Sequence, residues 1–114
     1  MGVKEQMRKG TTSVILLNLL SELGRPMYGY EIIQELEARS QGSFRFKEGL
    51  IYPRLHELEQ DGLLRSEWQG EEGTRRRKFY AITDKGRRTL AEELRDWHSF
   101  AQAVNRLLSL EATP

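Results

Sequence analysis

Four consecutive cations, Arg75, Arg76, Arg77 and Lys78, are the densest chemistry in this 114-residue chain. Guanidinium and ammonium groups in series neutralise phosphates; their bland alternative is a solvated charged surface. If the run lies on a strand, alternation lets at most half of it face one way. A second cluster stands upstream, where Lys47 precedes a helical pattern with Tyr52, Arg54, His56 and Gln60 off its apolar face. Arg54, His56 and Gln60 have the donors and acceptors that read base edges, and Lys47 suits a phosphate clamp. Glu48, Glu57 and Glu59 in the same stretch would repel phosphate unless turned away. Tyr28 and Tyr30 flank Gly29, one suited to packing and the other to a phosphate hydrogen bond, with nothing local to choose between them.

Other chemistry is poorly supplied. Without cysteine there is no disulfide, thiolate metal site, thiol nucleophile or redox relay, which fits a reducing compartment. His56 and His98 are the only histidines and leave little for a metal. Ser66 and Ser99 lack a nucleophile elbow or triad context, and Glu57 with Asp61 on one helix reads as a solvated face. No catalytic residue, metal or cofactor is therefore expected. The longest apolar stretch, Val14 to Leu20, is seven residues interrupted by Asn18, far below the roughly 20 that span a bilayer. Met1 to Lys9 is charged and lacks the apolar core of a signal peptide, so a cytoplasmic protein without a membrane partner is expected.

The chain's periodicities mark out the helices and strands on which these groups sit. The near-neutral total of 18 basic and 17 acidic side chains conceals segregation: residues 1–64 carry −1, residues 65–88 carry +4, and residues 89–114 carry −2. From Thr11 to Leu23, Ile15, Leu16, Leu19, Leu20 and Leu23 recur at helical spacing, with Thr11, Thr12 or Ser13 available as N-cap and Gly24 as stop. Tyr28 to Arg39 places Ile32, Ile33 and Leu36 on one face. A third helix, with Ile51, Leu55 and Leu58, begins between Lys47 and Leu50 and ends at Asp61-Gly62. The period then changes to two over Leu64 to Gln69 and again around Lys78 to Ile82, with Gly70 to Thr74 as turn material. Thr83-Asp84 offers the N-cap of a last helix that is expected to run on to Pro114.

Three helices, a hairpin with a basic arm and one more helix predict a mainly α fold with a β-hairpin, a winged helix-turn-helix. Residues 1–83 would form the DNA-binding domain and residues 84–114 a C-terminal dimerisation helix within one compact unit. In that architecture the third helix lies in the major groove and the hairpin reaches phosphates. On the last helix Leu90, Leu94, Trp97, Ala101, Val104 and Leu108 alternate spacings of four and three, a heptad seam widened by Phe100 and Leu107. It is shorter than a free-standing coiled coil requires. A domain this small has little surface of its own to cover Trp97 and Phe100, so a homodimer is expected.

Three blocks carry a resemblance: Pro26 to Ile32 (PMYGYEI), Gly49 to Leu64 (GLIYPRLHELEQDGLL) and Arg77 to Gly86 (RKFYAITDKG). In order and spacing they resemble the PadR family of bacterial transcriptional regulators, over about Gly10 to Leu108. The short last helix with Trp97 is similar to the smaller subfamily that contains a lactococcal multidrug-binding regulator. The resemblance implies a homodimeric repressor on a palindromic double-stranded DNA operator, released by a small planar aromatic effector. It further implies that Trp97 from each copy, with Val14 and Asn18, lines an apolar pore at the dimer centre. Ile51 replaces the family's usual leucine, a change that preserves size. Ala101 stands where that subfamily often has an acidic residue, so a preference for cationic drugs does not carry over. Trp97 serves equally as interface core. The rival to DNA binding is a winged-helix module that binds protein, which would not require the cations at Arg75 to Lys78.

Overall fold

A computed structural model of the chain describes residues 3–70 and 75–110, with side chains described from residue 10 onward. The order is α1 (Val3–Leu23), β1 (Met27–Tyr28), α2 (Gly29–Arg39), α3 (Glu48–Gln60), β2 (Leu64–Gln69), β3 (Arg77–Ile82) and α4 (Asp84–Leu107). The three strands form an antiparallel sheet in the order β1-β3-β2. This is the winged helix-turn-helix that the element order predicts.

The core forms where the apolar stripes converge. Leu16, Leu17, Leu19 and Leu20 of α1 are buried with Ile32 and Leu36 of α2, Ile51, Leu55 and Leu58 of α3, and Leu64, Tyr80 and Ile82 of the sheet. Each such side chain contributes roughly 1.5–3 kcal/mol relative to exposure. Among the described residues no helix is long and apolar enough to cross a membrane.

The termini of α3 and α4 are closed by local chemistry. At the end of α3, Gly62 adopts φ +78. Its N–H donates to Glu59 O and that of Leu63 to Leu58 O, so the left-handed residue satisfies carbonyls the helix cannot. Thr83 Oγ1 accepts from Gly86 N at 3.0 Å, capping α4. Pro53 is beyond the first turn of α3; its missing N–H leaves the carbonyl of exposed Gly49 to solvent rather than to the helix.

Two sequence expectations are corrected. The first helix begins at Val3, not near Thr11, so the candidate caps Thr11 to Ser13 lie in its interior, and Thr12 is buried. The last helix ends at Leu107 rather than Pro114: Ser109 turns left-handed at φ +57 and Leu110 N donates back to Asn105 O. Residues 111–114, and Glu71 to Thr74 of the expected hairpin turn, lie outside the described residues. The two-residue strand β1 was not anticipated. It exists because Met27 and Tyr28 pair with Tyr80 and Phe79, partners far along the chain.

The last helix is only partly covered. Leu90 is buried and Arg87 Nη1 donates to Ser21 Oγ of α1 at 3.2 Å, but every residue from Ala91 to Phe100 is exposed. The molecule accordingly extends 59 × 34 × 30 Å.

Candidate nucleic-acid interface

Helix α3 turns Ile51, Leu55 and Leu58 into the core, and helical spacing then leaves Gly49, Tyr52, Pro53, His56 and Gln60 along the exposed side. Tyr52, His56 and Gln60, expected to face a ligand, share this stripe. Lys47, the N-cap position of α3, is exposed at its end. Arg54 departs from expectation. It lies on the flank, its side chain only 13% exposed, with Nη2 on Glu57 Oε1 at 2.7 Å. One terminal nitrogen of its guanidinium is thus engaged within the helix.

The β2–β3 ribbon stands beside α3, and the strand register sorts its side chains. Ser66 opposes Tyr80 and Trp68 opposes Lys78, so these four share the face turned toward α3. Arg77 and Phe79 take the other face, where Tyr28 packs edge-on to Phe79 at 5.4 Å and under the Arg77 guanidinium at 4.6 Å. Tyr28 is thus packed and half-buried, whereas Tyr30 is exposed.

The four cations consequently divide. Arg75 and Arg76 are exposed ahead of β3, and Arg77 lies over Tyr28. Lys78 is turned inward, with Nζ 2.9 Å from Glu59 Oε1 and 5.3 Å from the Tyr80 ring centroid. Glu59 also accepts from Ser66 Oγ. The Ser66 hydroxyl, and then Lys78, hold the Glu59 carboxyl below its ordinary range, while Glu59 raises the Lys78 ammonium.

Between the ribbon and the starts of α2 and α3 lies a cleft of about 610 Å³. Tyr28, Tyr30, Tyr52 and Trp68 line it together with Glu48 and all four cations, Arg75 to Lys78. Partial burial and the nearby Glu48 carboxylate raise the Tyr52 phenol above its ordinary value, so it keeps its proton and can donate. Sequence reasoning passes over Trp68. The signal for Trp68 was its register opposite Lys78, which requires knowing the hairpin pairing. Aromatic faces between cations, beside an exposed polar helix stripe, suit a polyanionic strand with bases.

A second concavity, of about 910 Å³, runs between α1, α4 and the α2–α3 loop. Val14, Asn18 and Trp97 all line it, joined by Leu94, Phe44 and Phe100. Trp97 and Phe100 are each 50% exposed with ring centroids 6.2 Å apart. The seam read from the sequence is altered at both ends, because Leu90 is buried in its own domain's core and Leu108 follows the end of the helix. Ala101 and Val104 are half-buried.

Comparison with known proteins fits this arrangement. The sequence profile of the transcriptional regulator PadR-like family matches residues 16–92. The transcriptional regulator Rv3488 of Mycobacterium tuberculosis is 35% identical over 99 residues, 86% of this chain and 89% of that protein. A transcriptional regulator from Clostridium thermocellum is similar in structure, with TM-score 0.80 and 30% identity over 89% of this chain and 96% of that one. A PadR family transcriptional regulator from Eggerthella lenta gives TM-score 0.75 and 34% identity, covering 93% of this chain and 88% of that one.

Proposed function

The chain belongs to the PadR-like family of transcriptional regulators, and from that premise we propose that it is a ligand-responsive repressor that binds a palindromic operator as a homodimer. Regulation through DNA binding follows from the family; the dimer, the operator symmetry and the effector are the proposal. The observation that carries it is the pairing of two surfaces on one short chain. The exposed stripe of α3 stands beside the cationic, aromatic cleft of the ribbon, and the far end of α4 exposes an apolar row with Trp97 and Phe100.

A second copy seated on that row would bury the two exposed aromatic rings and set two α3 helices on one duplex. Two-fold symmetry in the protein then requires an inverted repeat in the DNA. Arg75 and Arg76 would meet phosphates while His56 and Gln60 approach base edges. A cytoplasmic location accords with this role.

The groove that gathers Val14, Asn18 and Trp97 supports an effector site at the dimer centre for a flat, largely apolar aromatic molecule. Such a ligand represses or releases only through its preference for one arrangement of the subunits. The small subfamily with the lactococcal multidrug-binding regulator is the resemblance behind this part.

Selection of bound sites from random duplexes tests the reading. An enriched inverted repeat, its half-sites about one helical turn apart, is expected. Failure to enrich any sequence, with retained folding, overturns it.

A further inference from the structure

We infer that Glu59 is a positioning residue of the DNA-binding surface: it locks the β2–β3 ribbon to α3 and keeps Lys78 on the protein, so that phosphate contact from the cationic run falls to its three arginines, Arg75, Arg76 and Arg77. The inference rests on the DNA-binding reading above and adds a division of labour that the run of four cations conceals.

The geometry is specific. Glu59 lies in the last turn of α3 and spends one carboxylate oxygen on each strand of the ribbon, Oε2 on Ser66 of β2 and Oε1 on Lys78 of β3. Ser66 and Lys78 are diagonal neighbours on one face of the ladder, so the carboxylate bridges both strands at once. Both charged side chains are under a third exposed, 28% for Glu59 and 27% for Lys78, and salt screens such a pair less than one in open water. The Lys78 ammonium also lies over the Tyr80 ring, which is buried.

Two costs hold the pair together when a polyanion approaches. A carboxylate in the last turn of a helix is at the negative end of the helix dipole, where charge is disfavoured unless compensated. If Lys78 swung out to a phosphate, Glu59 would be left uncompensated beside the DNA, adding repulsion to the lost ion pair. All four cations line the cleft, but Arg75, Arg76 and Arg77 are exposed and can reach a phosphate without that exchange.

The test is the salt dependence of binding by the full chain to a random-sequence duplex, read by fluorescence anisotropy. Arg76→Ala should flatten the slope of log affinity against log salt by about 1, the loss of one phosphate contact. Lys78→Met should leave the slope unchanged. Glu59→Gln keeps the shape and an acceptor for Ser66 but releases Lys78, and should steepen the slope by about 1; Glu59→Gln with Lys78→Met should return it. Lys78→Met flattening the slope as Arg76→Ala does would overturn the inference while leaving DNA binding intact. So would Glu59→Gln lowering the melting temperature with no change in slope, since the contact would then serve the fold alone. An unmodified chain that binds no duplex overturns the DNA-binding reading and this inference with it.

Discussion

Gly29 and the ring of Tyr52 are pressed together, so that a methyl group on Gly29 would stand 2.2 Å from Tyr52 Cε1. The start of α2 thereby rests on the exposed side of α3, and the absence of a side chain at Gly29 sets where the Tyr52 phenol points. Gly86 has a comparable clash with a different neighbour: its methyl would lie 2.2 Å from the carbonyl oxygen of Leu63.

The two glycines should respond differently to alanine. The Tyr52 ring is 39% exposed and can swing outward, so Gly29→Ala is expected to cost about 1 kcal/mol while displacing the phenol from the cleft. Backbone cannot step aside at Gly86, and Gly86→Ala should cost about 3 kcal/mol. Urea unfolding midpoints measure both, and equal costs would mean that Tyr52 is as fixed as the Leu63 carbonyl.

For the dimer, light scattering at micromolar concentration is expected to give twice the chain mass, and Leu94→Asp to give the monomer with its fold retained. Leu94 is exposed in the isolated chain, so the substitution buries a charge only if a partner covers it. A dimer indifferent to Leu94→Asp would place the interface elsewhere.

Base preference should follow the exposed stripe of α3. Gln60→Ala is expected to relax selection at one operator position by about 1–3 kcal/mol, whereas Arg76→Ala weakens all duplexes alike. Arg54→Ala should alter preference less than Gln60→Ala, because Glu57 already holds the guanidinium. Site selection repeated with each variant decides the order.

The Glu59–Lys78 pair predicts a pH window for stability. The folded-state carboxyl is lowered, first by Ser66 and then by Lys78, so its contribution is complete above the ordinary value of 4.5 and fades as pH falls through the lower folded value. Lys78 is raised by Glu59, so its contribution is complete below 10.5 and fades as pH rises through the folded value. The melting-temperature advantage of the unmodified chain over Glu59→Gln should be level across neutral pH and shrink in acid. An advantage that grows on acidification would show that the pair is not made in solution.

Planar aromatic compounds are expected to quench Trp97 emission in a Trp68→Phe background and to loosen the operator about 5- to 150-fold, a coupling of roughly 1–3 kcal/mol. Dyes and phenolics that leave both signals untouched would assign Trp97 to the interface alone.

Features encoded between neighbouring residues were readable along the chain. The apolar spacing of Ile51, Leu55 and Leu58, the helix stop at Gly62, the cap at Thr83 and the alternation through Trp68 and Tyr80 each act within a few residues, so α2, α3, the hairpin and the start of α4 were legible along the chain. Partnerships across the fold were not. Lys78 looked like any member of a cationic run, yet Glu59, on another element, claims it. Tyr28 and Tyr30 were equivalent by spacing until β1 paired with β3 and packed one of them on Phe79. Leu90 shared a heptad with Leu94, but contact with the core buries one and leaves the other exposed. Only tertiary structure could make these choices, because a side chain's partner is fixed by which distant segment the core brings beside it, and helical or strand periodicity carries no record of that neighbour.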